Sequence, residues 1–188
     1  MARRKENAVI LSQEMIARDI YSMWIKTDAA KEAAPGQFIS MYTNDGSRLL
    51  PRPISICEIN KEEGSLRVVY RVTGKNTGTE LFSRMKAGET IPVIGPLGNG
   101  FPYEKASGKK VFLMGGGIGV PPILELAKQM NCGKKQIIMG YRNSETFLKN
   151  EFEKYGEVYV STEDGSVGTQ GNVMDAIREN GLEAEMIY

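Results

Sequence analysis

The sequence predicts two units of different class: an antiparallel β-barrel of about six strands over residues 1–100, then a parallel-sheet α/β unit over 101–188. Three observations predict this. Short runs rich in β-branched and aromatic residues, separated by turn signals, fill residues 7–100. Beyond the cluster Gly95-Pro-Leu-Gly-Asn-Gly100, strand-like and helix-like runs alternate. From Val111 to Met130 a strand, a glycine turn and a helix follow one another.

The strand runs of the first unit are Ala8–Leu11, Ile20–Ile25, Gln37–Tyr42, Leu66–Val72 and Thr90–Ile94, with a further β-run beside Arg52-Pro-Ile-Ser55. Turn signals separate them at Ala34-Pro-Gly36, Asn44-Asp-Gly-Ser47, Glu63-Gly64 and Ala87-Gly88. Leu66, Val68 and Tyr70 alternate with Arg67, Val69 and Arg71, the period of a strand with one face on a core. A helix is expected over Thr79–Lys86, with Leu81, Phe82 and Met85 on one face. Gly95–Gly100 reads as the linker. The second unit is expected to run strand Val111–Met114, helix Pro121–Met130, strand Gln136–Tyr141, helix Glu145–Tyr155, strand Glu157–Ser161, helix Asn172–Asn180, and a strand starting at Met186. Such alternation implies a parallel sheet. Ending on that strand makes the α/β unit look cut short.

Composition narrows the chemistry. With 24 basic and 23 acidic residues the net charge is +1, so no broad field draws in nucleic acid or an acidic membrane surface. The cluster Arg3-Arg4-Lys5 reads as a solvated end. No apolar run approaches the roughly 18 residues of a membrane helix, and the N-terminus lacks a signal-peptide core. A cytoplasmic protein with neither nucleic acid nor membrane as partner is expected. Histidine is absent, which removes His-based triads, His-ligated zinc and the usual proton shuttle of neutral pH. Cys57 and Cys132 read as small buried hydrophobes without a disulfide. The chemistry must come mainly from a cofactor, and no metal site is expected.

Met114-Gly-Gly-Gly-Ile-Gly-Val-Pro-Pro122 is the most informative stretch. A strand, glycine turn and helix point backbone N–H groups at an anion, and the helix dipole adds about half a positive charge. Glycine at 115, 116, 117 and 119 lets a ligand reach the main chain. The spacing departs from G-x-G-x-x-G, so a phosphate-bearing cofactor is favoured, with a tight ligand-free turn as the plain alternative. In the barrel, Arg52 offers a planar charged fork suited to a pyrophosphate, and Ser55 a hydroxyl for a heteroaromatic ring edge. Val69-Tyr-Arg71 and Thr77-Gly-Thr79 add to them; the latter opens a helix, with the Thr79 hydroxyl and backbone N–H groups expected to face outward.

These segments, in this order, resemble the ferredoxin–NADP reductase superfamily, in which a β-barrel binds FAD or FMN and an α/β domain binds the nicotinamide nucleotide. Arg52-Pro-Ile-Ser55 matches its Arg-x-Tyr/Phe-Ser/Thr flavin motif, except that Ile54 replaces the aromatic residue. Together with Tyr70-Arg71, Gly78-Thr79 and Gly95–Phe101, it looks most like the electron-transfer subunits of type B dihydroorotate dehydrogenase. The resemblance runs from about residue 7 to 188. It implies a six-stranded flavin-binding barrel at 1–100 and an incomplete Rossmann-like NAD-binding unit at 101–188. FAD would be held by Arg52, Pro53, Ile54, Ser55, Val69, Tyr70, Arg71, Gly78 and Thr79, with Ser55 as the catalytic residue, at the flavin N5. Gly115, Gly116, Gly117, Ile118 and Gly119 would line the NAD(H) site. Tyr141-Arg142 and Thr162-Glu-Asp-Gly165 would stand at the strand ends towards the adenosine.

The same resemblance implies electron transfer in pyrimidine biosynthesis, with a dihydroorotate dehydrogenase catalytic subunit carrying FMN as partner. Such relatives continue into a Cys-Gly-Pro segment and a cysteine cluster for a 2Fe–2S centre. Two cysteines and no histidine cannot supply its four ligands, so the cluster is expected to be absent from this chain. NADH is expected over NADPH, because Arg142 alone stands where a 2′-phosphate would sit, before neutral Asn143-Ser144 and acidic Glu145. The rival readings are another NAD(P)H:ferredoxin-type flavin reductase subunit, and a flavin- or nucleotide-binding module without turnover.

Overall fold

The computed structural model describes residues 5–46 and 49–188. Arg3 and Arg4 of the basic cluster, and Ser47 of one turn signal, lie outside them. The Lys5 ammonium sits 4.0 Å over the Tyr42 ring. The chain divides into two units, the first ending at Gly100 and the second spanning Phe101–Tyr188.

Six strands, β1 (Glu6–Ala17), β2 (Ile20–Lys26), β3 (Phe38–Met41), β4 (Arg52–Asn60), β5 (Ser65–Arg71) and β6 (Thr90–Leu97), form the first unit. They close an antiparallel barrel in the order β1-β2-β5-β4-β3-β6. Register shifts in β1, and in β4 between Ile56 and Glu58, supply the bends that closure requires. Alternate residues of each strand fill the interior, among them Ile10, Met23, Ile25, Ile39, Met41, Ile56, Leu66, Val68, Tyr70, Ile91 and Val93. Phe82 joins them from α1 (Gly78–Ser83), a shorter helix than the Thr79–Lys86 run suggests.

Two expectations for this unit need correction. Arg67 and Val69, on the outward side of β5, are as buried as their inward neighbours. Arg67 tolerates this because its Nη1 donates to Glu58 Oε2 and its Nε to Ser22 Oγ, both at 2.8 Å. Nor is Gly95 the start of a linker, since β6 continues to Leu97. A Cβ on Gly95 would lie 2.5 Å from Ile39 Cγ2, so glycine permits β6 to close against β3.

The second unit is a parallel five-stranded sheet in the order β10-β9-β8-β7-β11. Its strands are β7 (Lys110–Gly116), β8 (Lys134–Tyr141), β9 (Glu157–Thr162), β10 (Thr169–Gln170) and β11 (Met186–Ile187). Successive strands step outward from β7 to β10, and β11 then returns to the other side of β7. The order therefore reverses at β7, the position where open α/β sheets bind ligands at their carboxyl edge. The helices are α2 (Pro121–Gln129), α3 (Lys149–Phe152) and α4 (Val173–Glu179). Phe112, Ile138 and Ala176 form a core beneath α4, with Val173 and Ile177 packed on it.

The expected helix Glu145–Tyr155 shrinks to the single turn of α3. Asn143 Oδ1 accepts from Glu145 N at 3.0 Å, closing a side-chain turn, and Leu148 adopts φ 67°. Phe147 folds inward edge-on to Tyr141, and its carbonyl accepts the Tyr141 hydroxyl at 2.7 Å. A local tertiary contact overrides the helical spacing there. The short β10 carries no sequence signal of its own.

Candidate functional site

In the barrel, β4 and β5 part company where the flavin motif begins. Their ladder ends at the Ile56–Val68 pair, yet β4 starts four residues earlier and β5 runs three residues further. Arg52–Ser55 pair only with β3, and Val69–Arg71 only with β2. Two strand edges thus face an unlaced slot between them, and backbone polar groups along such edges seek partners.

Helix α1 stands at this slot. The Arg52 guanidinium lies flat against Gly78: a Cβ there would be 2.8 Å from Cζ, 2.9 Å from Nε and 3.0 Å from Nη2. Arg52 Nη1 also donates to the carbonyl of Leu50. The segments 52–55, 69–71 and 78–79 are therefore gathered around one slot, with a cationic fork at the helix. Among the described residues no hydrogen bond engages the Ser55 hydroxyl, which is half-buried on β4. Arg71 is exposed at the end of β5, Pro53 is exposed, and Ile54 is half-buried against the core.

Two residues differ from their expected posture. Thr79 is buried, and its hydroxyl accepts from the Thr73 N–H at 3.2 Å and lies 3.1 Å from the Thr77 hydroxyl, so it does not face outward. The residue that caps α1 is Thr77, whose side chain accepts from Glu80 N at 3.2 Å. The spacing Thr77-x-x-Glu80 carries that signal, because a Ser or Thr three residues before Glu marks a helix start. Tyr70 points into the core, stacked on Tyr21 (centroids 5.9 Å) and edge-on to Phe82 (6.0 Å). Burial pushes its phenol well above the ordinary range. Only the main chain at Tyr70 is presented to the slot.

In the second unit the glycine turn follows β7 at the point where the strand order reverses. Gly117 has φ 51°, and a 3₁₀ turn over Gly117–Gly119 leads into α2. The glycines do different work. A Cβ on Gly115 would lie 2.9 Å from Val120 Cα, so this glycine lets the turn fold back on the strand. A Cβ on Gly116 or Gly119 would meet nothing within 4 Å, leaving bare main chain open to a flat group. Ile118 is 41% exposed beside them and offers an apolar contact.

The start of α2 is a poorer anion site than its position suggests. Pro121 and Pro122 have no N–H, while those of Val120 and Ile123 bond to Gly117 O and Val120 O, each at 3.1 Å. Any phosphate must be met by the amides of the glycine turn itself.

The next two strand ends lie side by side. Beyond β8 and β9, Glu163 N donates to Tyr141 O at 3.1 Å and Asp164 N to Arg142 O at 3.3 Å. Arg142 therefore runs beside Glu163 and Asp164, all three exposed. Asp164 Oδ1 accepts from Ser166 N (3.0 Å) and Ser166 Oγ (2.6 Å), which holds its carboxyl below the usual range. The Tyr141 hydroxyl is taken up by Phe147, so Tyr141 serves packing.

Neither cysteine is in a disulfide; Cys57 is buried and Cys132 half-buried, where burial pushes the latter's thiol up. Among the described residues no group of three or more His, Cys, Asp or Glu side chains could hold a metal ion, and no helix is long and apolar enough to cross a membrane.

The oxidoreductase FAD-binding domain family matches residues 7–102. The dihydroorotate dehydrogenase B (NAD(+)) electron transfer subunit of a Geobacillus species is 40% identical over 98% of this chain and 74% of its own length. The same subunit of Fusobacterium nucleatum is 42% identical over 97% of this chain and 72% of its own. Among solved structures, an NADH-dependent reduced ferredoxin–NADP oxidoreductase superposes with a TM-score of 0.82 at 32% identity, covering 95% of this chain and 64% of that one. A ferredoxin NADP+ reductase from Neisseria gonorrhoeae with bound FAD and NADP shares the fold at 17% identity, with a TM-score of 0.78 over 94% of this chain and 76% of that one. The barrel, the parallel sheet and the motifs distributed over them place the chain in one family: it belongs with the dihydroorotate dehydrogenase B electron transfer subunits.

Proposed function

We propose that the chain is a flavin-dependent NAD(H) oxidoreductase subunit that passes electrons between NAD(H) and a dihydroorotate dehydrogenase catalytic subunit, in pyrimidine biosynthesis. The observation that carries the flavin part is the unlaced slot between β4 and β5, with the Arg52 guanidinium seated on Gly78. FAD fits the donor set there: a planar cation for a pyrophosphate, strand-edge amides and carbonyls for a ring edge, and a hydroxyl at Ser55. FAD supplies two-electron exchange with the nicotinamide and onward delivery of those electrons, chemistry that this histidine-free chain lacks in its side chains.

The protein's own residues bind and orient. Arg52 offsets phosphate charge through a fixed fork. Ser55 both donates and accepts, so it serves a ring nitrogen in either protonation state. The main chain of Val69–Arg71 forms the other wall of the slot. In the second unit, Gly116 and Gly119 admit the nicotinamide end of the dinucleotide to bare backbone, with Ile118 against it. At the adenosine end one guanidinium, Arg142, stands among the carboxylates of Glu145, Glu163 and Asp164. A 2′-phosphate entering there meets net negative charge, so NADH is the substrate in preference to NADPH.

A second reading rests on the likeness at 32% identity to the ferredoxin–NADP oxidoreductase: electrons would go to a ferredoxin-type acceptor in place of a dihydroorotate-oxidising subunit. The deciding experiment starts from the purified protein's absorption spectrum. Bound FAD, bleached by anaerobic NADH, is the expected result, followed by reduction of orotate by NADH, or oxidation of dihydroorotate by NAD+, once the catalytic subunit is added. Colourless protein that takes up no FAD would refute the flavin reading. Bleaching with no transfer to that subunit, but with transfer to a ferredoxin, would favour the second.

A further inference from the structure

We infer that Gln13, on β1, is a positioning residue for the flavin slot: its carboxamide fixes α1 against the Arg52 guanidinium, and Tyr70 acts on the slot through it. The inference rests on the flavin reading above. Gln13 Nε2 donates to Phe82 O at 3.0 Å and to Met85 O at 2.8 Å, and Gln13 Oε1 accepts the Tyr70 hydroxyl at 2.7 Å. The amide's two donor hydrogens and its acceptor are all used, and only one orientation of the group satisfies them. Its donors meet one carbonyl in the last turn of α1 and one just beyond it; Phe82 O also accepts from Met85 N at 3.0 Å, so the carboxamide adds a bond from the barrel wall to a carbonyl already held locally.

Helix α1 needs such anchors because its six residues are too few to hold a helix by themselves. Thr77 and Thr79 tie its first turn to the preceding loop through Thr73 and Gly74, while Gln13 ties its last turn to the barrel wall. The tolerance at the other end is small. Gly78 touches the Arg52 guanidinium so closely that a Cβ would overlap it at 2.8 Å, so any drift of α1 moves or releases the fork. Tyr70 completes the chain of contacts. Its ring fixes Phe82 edge-on, and its hydroxyl orients the carboxamide that holds the Phe82 carbonyl. The buried tyrosine of the Val69-Tyr-Arg71 segment thereby bears on the slot through Gln13.

The test is FAD affinity, measured by fluorescence titration of the deflavinated protein, for Gln13→Leu, Tyr70→Phe, the pair, and each in an Arg52→Ala background. Gln13→Leu and Tyr70→Phe are each expected to weaken FAD binding about five- to tenfold, the weight of one ordinary hydrogen bond. The pair should be no weaker than Gln13→Leu alone, and neither change should add to Arg52→Ala, because all act through one contact. Wild-type affinity in both single variants would overturn the inference, as would effects that add fully to Arg52→Ala, the signature of general destabilisation. Should Gln13→Leu fail to fold, Tyr70→Phe, which keeps the ring stack, carries the test alone. Loss of FAD on Arg52→Ala with none on the other two would sink this inference and leave the flavin reading intact; a wild-type protein that binds no FAD would sink both.

Discussion

Replacing Gly78 by alanine separates folding from flavin binding in a single atom. Alanine suits a helix better than glycine by about 0.5–1 kcal/mol, and Gly78 is not among the positive-φ glycines, so the fold without flavin should be as stable as before or more so. The added methyl, however, occupies the space of the Arg52 guanidinium, 2.8 Å from Cζ. Because that group ends a flexible side chain, it swings aside at little cost to the fold, giving up its bond to the Leu50 carbonyl and its aim at the slot. A charge-assisted bond to phosphate is worth about 1.5–3 kcal/mol, so FAD affinity should fall roughly ten- to hundredfold. Two measurements on deflavinated protein check this: thermal melting without flavin, and FAD titration. Arg52→Ala sets the ceiling of the effect. Unchanged FAD affinity in Gly78→Ala would refute the role given to the guanidinium, and a lowered melting temperature without flavin would refute the claim that the site, rather than the helix, requires glycine.

Flavin reduction followed by stopped flow should be faster with NADH than with NADPH by at least about tenfold, the effect of a 1.4 kcal/mol repulsion, and Glu163→Lys should narrow the gap; equal rates would remove the carboxylates from the argument. Gly115→Ala should lower stability by about 1–3 kcal/mol, because its Cβ meets the main chain of Val120, whereas Gly116→Val should leave stability intact and slow reduction by NADH. Denaturant unfolding and the same stopped-flow assay read the two effects, and a reversed pattern would contradict the division of labour among these glycines. Arg67→Met leaves the Glu58 carboxylate without its buried guanidinium and should cost about 3 kcal/mol in denaturant unfolding, with FAD affinity of the folded protein unchanged. Iron and acid-labile sulfide should be far below stoichiometric after anaerobic purification, since two cysteines and no histidine cannot ligate a cluster.

The architecture was legible because period and punctuation agree with it. Strand runs split by glycine turns give the barrel, and the change of period after β6 gives the parallel sheet. The misses share a cause, namely side-chain contacts that neither period nor punctuation announces. Nothing local tells that Arg67 can be buried, since Ser22 and Glu58 that make it tolerable lie on other strands. The helix expected at Glu145–Tyr155 loses most of its length to Phe147, which turns inward to Tyr141. For the slot, the motif gave the residues and the fold gave their postures. Arg52 and Gly78 gain their meaning from a contact between a strand and a helix, whereas Gln13 is one of several polar residues on β1, between Ser12 and Glu14, and carries no mark. The capping role of Thr77 is readable from Thr77-x-x-Glu80, whereas the inward turn of the Thr79 hydroxyl rests on its bond with Thr73, which no local pattern marks.

On the function proposed above, the two prolines that open α2 would set how long the nucleotide stays. With no amide to offer from Val120 to Ile123, the helix contributes its dipole but no directed bond, and the dinucleotide's phosphates are left to a few glycine amides. Differences in affinity between related sites fall mostly on the dissociation rate, so a grip reduced in this way shortens residence. For a carrier that must arrive reduced and depart oxidised at every cycle, a short residence favours turnover, because release of spent product is often the slow step. The Arg52 fork at the other site would have the opposite effect, a long dwell for a group that stays through many cycles.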